Sequence, residues 1–194
     1  MGSSPRQRLF FALWPDDAFR AALARLSKKV LHKQGKRIAP ENLHVTLVFL
    51  GPTDPIQRAC AEEVAARVAV EPFTLEFDRL GYWPKPQVLW SAPSHVPKPL
   101  AALVSSLTRG LTKCGFTPEM RTYQAHLTLA RKVTSPVLDA VHEPLPWQVQ
   151  DFQLVESETR PEGARYRVLR SWPLQDKGPA SSLRFPEEGP NTTP

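Results

Sequence analysis

The four-residue phrase His-x-Thr-Leu occurs twice in the chain, as His44-Val45-Thr46-Leu47 and as His126-Leu127-Thr128-Leu129. Each copy stands in an alternating apolar run, the pattern of a half-buried strand. Successive side chains of a strand point to opposite faces, so His44 shares a face with Thr46 and His126 with Thr128. Val45, Leu47 and Phe49 then form the apolar face of the first strand, and Leu127 and Leu129 that of the second. Two strands far apart in sequence thus present polar residues in the same way, where a core would reject them. Facing one cleft, they could act together on one anion. Imidazole titrates near pH ~6.5, so one ring can donate a proton while the other accepts one, and the threonine hydroxyls can hydrogen-bond the anion.

The flanks of the two phrases are organised alike. Residues 8–14 read as a strand that stops at Pro15, and Asp16 is placed to cap a helix. Phe19, Ala22, Leu23, Leu26 and Val30 share one face of that helix, and Gly35 breaks the pattern. In the second half Leu100, Leu103, Val104, Leu107 and Leu111 repeat the spacing, and Gly115 ends the helix. A less periodic helix is expected over 55–68. Phe73, Leu75 and Phe77 alternate with polar residues as a strand. Residues 88–91 read as a paired strand after the Pro84-Lys85-Pro86 turn, and 148–156 and 166–172 as two closing strands. The economical fold is α+β: a duplicated two-lobe unit with pseudo-two-fold symmetry, antiparallel sheets, outer helices, and a central cleft where the His strands meet. One such domain is expected over residues 1–175. Residues 176–194 hold four prolines, two glycines and few apolar anchors, and are expected to form a disordered tail.

With 194 residues, 41% of them apolar, the chain can build one packed core. No apolar run approaches the ~18 residues of a membrane span, and the N-terminal residues lack the apolar stretch of a secretory signal. Arg6 stands where a myristoylation signal wants Ser or Thr. Cys60 and Cys114 fall on expected helices and offer neither a disulfide framework nor a C-x-x-C site, which fits a reducing cytoplasm. There is no H-E-x-x-H and no Cys/His cluster with zinc spacing, so no metal and no cofactor is expected. A net charge of +6 favours an anionic partner such as RNA, though only weakly by itself.

With these flanks the two phrases resemble the 2H phosphoesterases, and within them the RNA 2′,3′-cyclic phosphodiesterases, also called 2′-5′ RNA ligases. Phe10-Phe11-Ala12-Leu13-Trp14-Pro15 is similar to that family's opening strand. Asn42-Leu43-His44-Val45-Thr46-Leu47-Val48-Phe49-Leu50-Gly51 resembles its first motif, and His126-Leu127-Thr128-Leu129-Ala130-Arg131 its second. Residues 152–157 and 166–169 look like its closing hairpin. The resemblance covers about residues 8–174. One departure is Ala125, where the family usually has Pro; it removes no reactive group.

The resemblance implies metal-independent hydrolysis of RNA 2′,3′-cyclic phosphate ends to 2′-phosphates. His44 would be the acid toward the ribose 3′-oxygen and His126 the base for water, with Thr46 and Thr128 on the phosphoryl oxygens. Running the reaction backwards with a 5′-hydroxyl in place of water would give 2′-5′ ligation. The family pattern makes Arg131 a phosphate ligand, although strict alternation puts it on the face opposite His126. Trp14 and Phe11 are candidates to stack on a base, Phe11 being also readable as core. Trp83 and Trp90 read as packing or cleft-rim residues. His32, His95 and His142 lack a Thr two residues on and are expected on the surface or in loops. The implied partner is an RNA or oligonucleotide end bearing a 2′,3′-cyclic phosphate, bound by a cytoplasmic monomer without membrane contact. Two alternatives stand beside this. The same chemistry could act on a cyclic nucleotide or an ADP-ribose cyclic phosphate, or the chain could be a non-catalytic module that holds RNA ends. Paired imidazoles speak against the last, because phosphate capture alone is better served by Arg and Lys.

Overall fold

The computed structural model describes residues 6–31, 35–117, 119, 121–134, 142–160 and 163–175. Strand β1 (Gln7–Leu13) leads into helix α1 (Asp17–Leu31), where the Asp16 carboxylate accepts a hydrogen bond from the Phe19 amide at 2.8 Å. The short strand β2 (Lys36–Arg37) and a 3-10 turn (Pro40–Asn42) precede β3 (Val45–Thr53). Helix α2 (Pro55–Ala66) opens on a reciprocal cap between Asp54 and Gln57. Then come β4 (Phe73–Phe77), β5 (Arg79–Trp83), β6 (Val88–Ala92) and helix α3 (Lys98–Thr112). The chain continues through β7 (Leu127–Arg131), β8 (Leu145–Val149), β9 (Asp151–Arg160) and β10 (Gly163–Pro173).

The main sheet has the order β10-β9-β1-β3-β7-β6-β5, with β2 paired to β7. All its pairings are antiparallel. Its halves are related across the β3/β7 junction. On one side β1 and β3 are neighbours joined through α1; on the other, β6 and β7 are neighbours joined through α3. Each helix also packs on the His strand of the other half, α1 on β7 and α3 on β3. The expected α+β duplication with pseudo-two-fold symmetry is therefore present, and its two halves share one continuous sheet.

All three helices lie on one face of that sheet. Leu9, Phe11, Leu13, Val45, Leu47, Leu127 and Leu129 are buried there with Leu23, Leu100, Leu103 and Leu107. Burial of each such side chain stabilises the fold by about 1.5–3 kcal/mol. A second sheet, β4–β8, closes the same core, with Phe19 packed between Phe77 and Trp147 at 5.4 and 5.2 Å. The opposite face of the main sheet carries a second, small apolar cluster, Phe10, Ala12 and Val155, and is where the cleft opens.

Residues 88–91 pair as expected after the proline turn, with β5 on one side and β7 on the other, and the strand 73–77 pairs with β8. Two sequence expectations need correction. The expected strand 148–156 is two strands, β8 and β9, parted at Gln150 and assigned to different sheets. Cys60 and Cys114 form a disulfide, with their Cα atoms 5.7 Å apart. The helices bring them together: α2 packs against α3 so closely that a Cβ on Gly110 would lie 2.3 Å from Val64. Nothing in two cysteines separated by 54 residues announces that proximity. His32 and the segment 176–194 lie outside the described residues. Among the described residues no helix is long and apolar enough to cross a membrane.

Candidate active site

The two His strands touch through one bridge, Val45 opposite Leu127. Extending that antiparallel register by one residue sets His44 across from Thr128 and Thr46 across from His126. All four then lie on the face opposite Val45 and Leu127, which are buried among the helices. The two histidines stand on a diagonal of this square. Such diagonal neighbours are separated by roughly 7–8 Å, a span that one phosphate can bridge. His44, Thr46, His126 and Thr128 all line a single cleft of about 420 Å³.

Both rings are oriented in the same way. His44 Nδ1 lies 2.7 Å from the Asn42 carbonyl, and His126 Nδ1 lies 2.9 Å from the Gln124 carbonyl. A carbonyl only accepts, so Nδ1 carries the hydrogen in each ring and Nε2 is left as the reactive nitrogen. Ala125 is buried, and the Gln124 contact forms without the proline usual at that position. The Tyr123 hydroxyl donates to the Thr46 carbonyl at 3.1 Å and ties the approach to β7 onto β3.

Each His strand also carries a bulge at the same residue of its phrase. In the β1–β3 ladder Ala12 faces Thr46 but Phe11 faces Val48, so Leu47 is in excess. In the β6–β7 ladder Trp90 faces Thr128 but Leu89 faces Ala130, so Leu129 is in excess. One extra residue shifts the alternation by one step. The fifth residue after each histidine therefore returns to the cleft face, and these are Phe49 and Arg131, both cleft-lining. This resolves the Arg131 conflict in favour of the cleft. It also corrects the expectation for Phe49, which is 51% exposed and is not part of the core.

The two rings have different surroundings. His44 is half-buried among aromatics: Trp14 stacks on it at 5.3 Å with planes 6° apart, and Phe10 and Tyr166 lie at 5.1 and 4.9 Å. Its pKa falls from the ordinary 6.5 to about 4. Burial is the main cause. The Asn42 hydrogen bond opposes it, and the charges of His126 and Arg131 add to it. His126 meets one aromatic, Trp83, edge-to-face at 4.7 Å, and Trp83 in turn packs on Trp90 at 5.5 Å. Gly81 makes room for this wall, since a Cβ there would lie 2.0 Å from the Trp90 ring. Of the expected alternatives, packing or cleft rim, these contacts show packing, and neither Trp83 nor Trp90 is among the cleft-lining residues.

Cations dominate the rest of the lining. Arg8, Lys36, Arg37 and Arg131 line the cleft together with Ser157 and Tyr166, and among the described residues no carboxylate lines it. Lys36 is the cross-strand partner of Arg131. Isolated cations at strand ends carry no sequence signal, so Arg8, Lys36 and Arg37 escaped the sequence reading; only the register collects them. Of the two proposed base-stacking residues, Phe11 is fully buried between Phe152 and Trp172 and cannot meet a ligand, because odd positions of β1 face the helices. Trp14 is engaged with the His44 ring and is not among the cleft-lining residues. His95 is exposed and His142 half-buried, both away from the cleft. Among the described residues no group of His, Cys, Asp or Glu could hold a metal ion.

Comparison with known proteins gives a consistent picture. The model of the 2′-5′ RNA ligase superfamily matches residues 15–161. An RNA 2′,3′-cyclic phosphodiesterase of Archaeoglobus fulgidus is 34% identical over 84% of this chain and 98% of its own. One from Escherichia coli is 28% identical over 88% and 98%. The crystal structure of Escherichia coli LigT in complex with 3′-AMP superposes with a TM-score of 0.78 at 28% identity, covering 87% of this chain and 98% of LigT.

Proposed function

The chain belongs to the 2′-5′ RNA ligase superfamily, and on that premise we propose that it hydrolyses 2′,3′-cyclic phosphate ends of RNA to 2′-phosphates, with 2′-5′ ligation as the reverse reaction. The observation that carries this reading is the pair of imidazoles facing one cleft, each with Nδ1 bound to its own strand's approach and Nε2 left for chemistry. The relatives named as RNA 2′,3′-cyclic phosphodiesterases support the substrate class.

In the proposed step His126 Nε2 takes a proton from water as its oxygen bonds to phosphorus. The bond from phosphorus to the ribose 3′-oxygen breaks, and His44 Nε2 protonates that oxygen. The product is a 2′-phosphate with a free 3′-hydroxyl. Thr46, Thr128 and Arg131 hold the non-bridging oxygens as charge develops on them. Proton transfer by each placed ring accounts for about 10²–10⁴-fold in rate. His44 is neutral near pH 7 in the folded chain, so as an acid it takes up its proton together with the substrate, whose negative charge offsets that of Arg131. The low pKa also favours a second reading, in which His44 is the base and His126 the acid. With the nucleotide turned about, so that its 3′-oxygen lies at His126, that order gives the same 2′-phosphate.

A substrate whose 3′-leaving group needs no proton separates the two, because it restores turnover only to the variant that lacks the acid, His44→Ala in the first order and His126→Ala in the second. The product tests the reading itself. An RNA oligonucleotide ending in a 2′,3′-cyclic phosphate is incubated with the enzyme in EDTA and its product read by phosphorus NMR. A 2′-phosphate is expected; a 3′-phosphate, or no turnover, overturns the reading. We further propose that the domain acts as a monomer spanning residues 1–175 and works in the cytoplasm. The thiol-based ground for that compartment is withdrawn with the Cys60–Cys114 bond.

A further inference from the structure

We propose that Tyr123 is a positioning residue of the reaction, whose hydroxyl, by holding the Thr46 carbonyl, sets the His126 ring against His44. The inference rests on the acid–base reading of the two rings. The halves of the main sheet meet through a single β3–β7 bridge, Val45 opposite Leu127. On the His126 side of that bridge the ladder stops, because residues 121–126 form neither helix nor strand. Tyr123 stands in this stretch, half-buried and packed against the main core. Its hydroxyl crosses the seam and donates to the Thr46 carbonyl at 3.1 Å. Burial pushes the phenol pKa up, so the hydroxyl stays a donor throughout the range in which an imidazole titrates.

The segment 123–127 is therefore fixed to β3 at both ends, by Tyr123 on Thr46 and by Leu127 opposite Val45. Between the two anchors lies Gln124, whose carbonyl accepts the His126 Nδ1 hydrogen at 2.9 Å. The group that orients His126 is thus referenced to the strand that follows His44 and carries Thr46. The other ring is held differently. The Asn42 carbonyl that meets His44 Nδ1 belongs to the 3-10 turn, whose own bonds run from the Asn42 amide to Ala39 and from the Leu43 amide to Pro40. Glu41 precedes His44 by the same three residues as Tyr123 precedes His126, and it is an exposed carboxylate. One histidine is oriented by a local turn and the other by a bond across the seam. Two groups that move protons on one phosphate must keep their relative placement, and an error on the order of 1 Å can cost about 10²-fold in rate.

Tyr123→Phe keeps the ring and deletes the donor, and Tyr123→Leu deletes both. Two readouts are taken, one of them independent of turnover. In nitrogen-15 NMR spectra at about pH 9, above the ordinary imidazole range, the wild type should carry hydrogen on Nδ1 of both His44 and His126. Tyr123→Phe should leave His44 so and move His126 toward the Nε2-bound tautomer of free imidazole. In hydrolysis of a dinucleotide 2′,3′-cyclic phosphate, Tyr123→Phe should lower kcat about tenfold with KM within about twofold, and Tyr123→Leu should lower it at least as much. Neither change should slow the His126→Ala enzyme further, because the hydroxyl acts through that ring. Wild-type kcat in Tyr123→Phe would overturn the proposal. Equal tautomer changes at both rings, or an equal fall in rate in the His126→Ala background, would overturn it too, because the bond would then only stabilise the sheet. A wild type that shows both Nδ1 tautomers, and loses that of His126 alone in Tyr123→Phe, yet turns over no cyclic phosphate would sink the catalytic reading and leave the orienting bond standing.

Discussion

Leu47 and Leu129 hold the same place in the two copies of the repeated phrase, and each is a residue that its strand carries in excess of its neighbour. The extra residue keeps both leucines in the core and swings the position two residues further on into the cleft. That swing is what makes Arg131 available to an anion. Arg131 is exposed, and among the described residues it has no carboxylate partner. Arg131→Ala is expected to lower kcat/KM for a cyclic phosphate about tenfold or more with an unchanged melting temperature. Arg131→Lys should recover only part, since an ammonium lacks the planar two-donor fork. Steady-state kinetics beside thermal melts check this; wild-type kinetics in Arg131→Ala would return the residue to the surface.

The low pKa of His44 sets a limb of the pH profile. The dependence of kcat/KM reports the free enzyme. Whichever ring is the acid, His44 must be in one protonation state, so its titration should set the acidic limb near pH 4 and not near 6.5. Rates measured from pH 4 to 9 decide it, and an acidic limb near 6.5 would mean that the ring is not desolvated. The same shift bears on stability. The unfolded chain binds the His44 proton below its ordinary pKa and the folded chain does not. Stability is therefore lost as pH falls from about 6.5 through 4, by up to about 3 kcal/mol in total, and none is lost on this account above 6.5. His44→Gln should flatten denaturant midpoints over that window.

His44 and His126 should differ when truncated. The Trp14, Phe10 and Tyr166 rings pack on His44, whereas one ring, Trp83, contacts His126. Near neutral pH, His44→Ala is expected to cost about 1–2 kcal/mol through lost aromatic contact, and His126→Ala under about 0.5. Urea titrations at pH 7.5 measure the difference; equal costs would show that the aromatic cage does not hold the ring.

The Cys60–Cys114 bond closes a loop of 54 residues between α2 and α3, and neither helix lends a residue to the cleft lining. Replacing both cysteines with alanine is expected to lower stability by about 2–4 kcal/mol while kcat/KM stays within twofold. A variant as stable as the wild type, or free thiols found in the native wild-type protein, would show that the bond does not form.

What could be read from the sequence was what obeys a short period. The face of α1, the face of α3 and the strand character of both phrases follow from spacing alone, and Asp16 stands where a helix begins. The pairing of the histidines was legible because the phrase is repeated. Phe49 and Arg131 were misplaced or left in conflict because alternation counts straight through a bulge, and a bulge is visible only against the neighbouring strand. Phe11 has the composition of a ligand-stacking residue and the parity of a core one; parity decides. The disulfide, β2 and the cations Arg8, Lys36 and Arg37 depend on contacts between distant segments, which no local pattern records.

The central claim is that His44 and His126 are one acid–base pair. Single-turnover hydrolysis of a dinucleotide 2′,3′-cyclic phosphate in EDTA, by the wild type, His44→Ala, His126→Ala and the double variant, tests it most directly. The pair predicts undiminished turnover by the wild type in chelator and a fall of about two decades or more in each single variant. The double variant should be hardly slower than either, because groups acting as a unit are not additive. A His126→Ala enzyme that works at near the wild-type rate, or activity that vanishes in EDTA and returns with a divalent ion, would contradict the account.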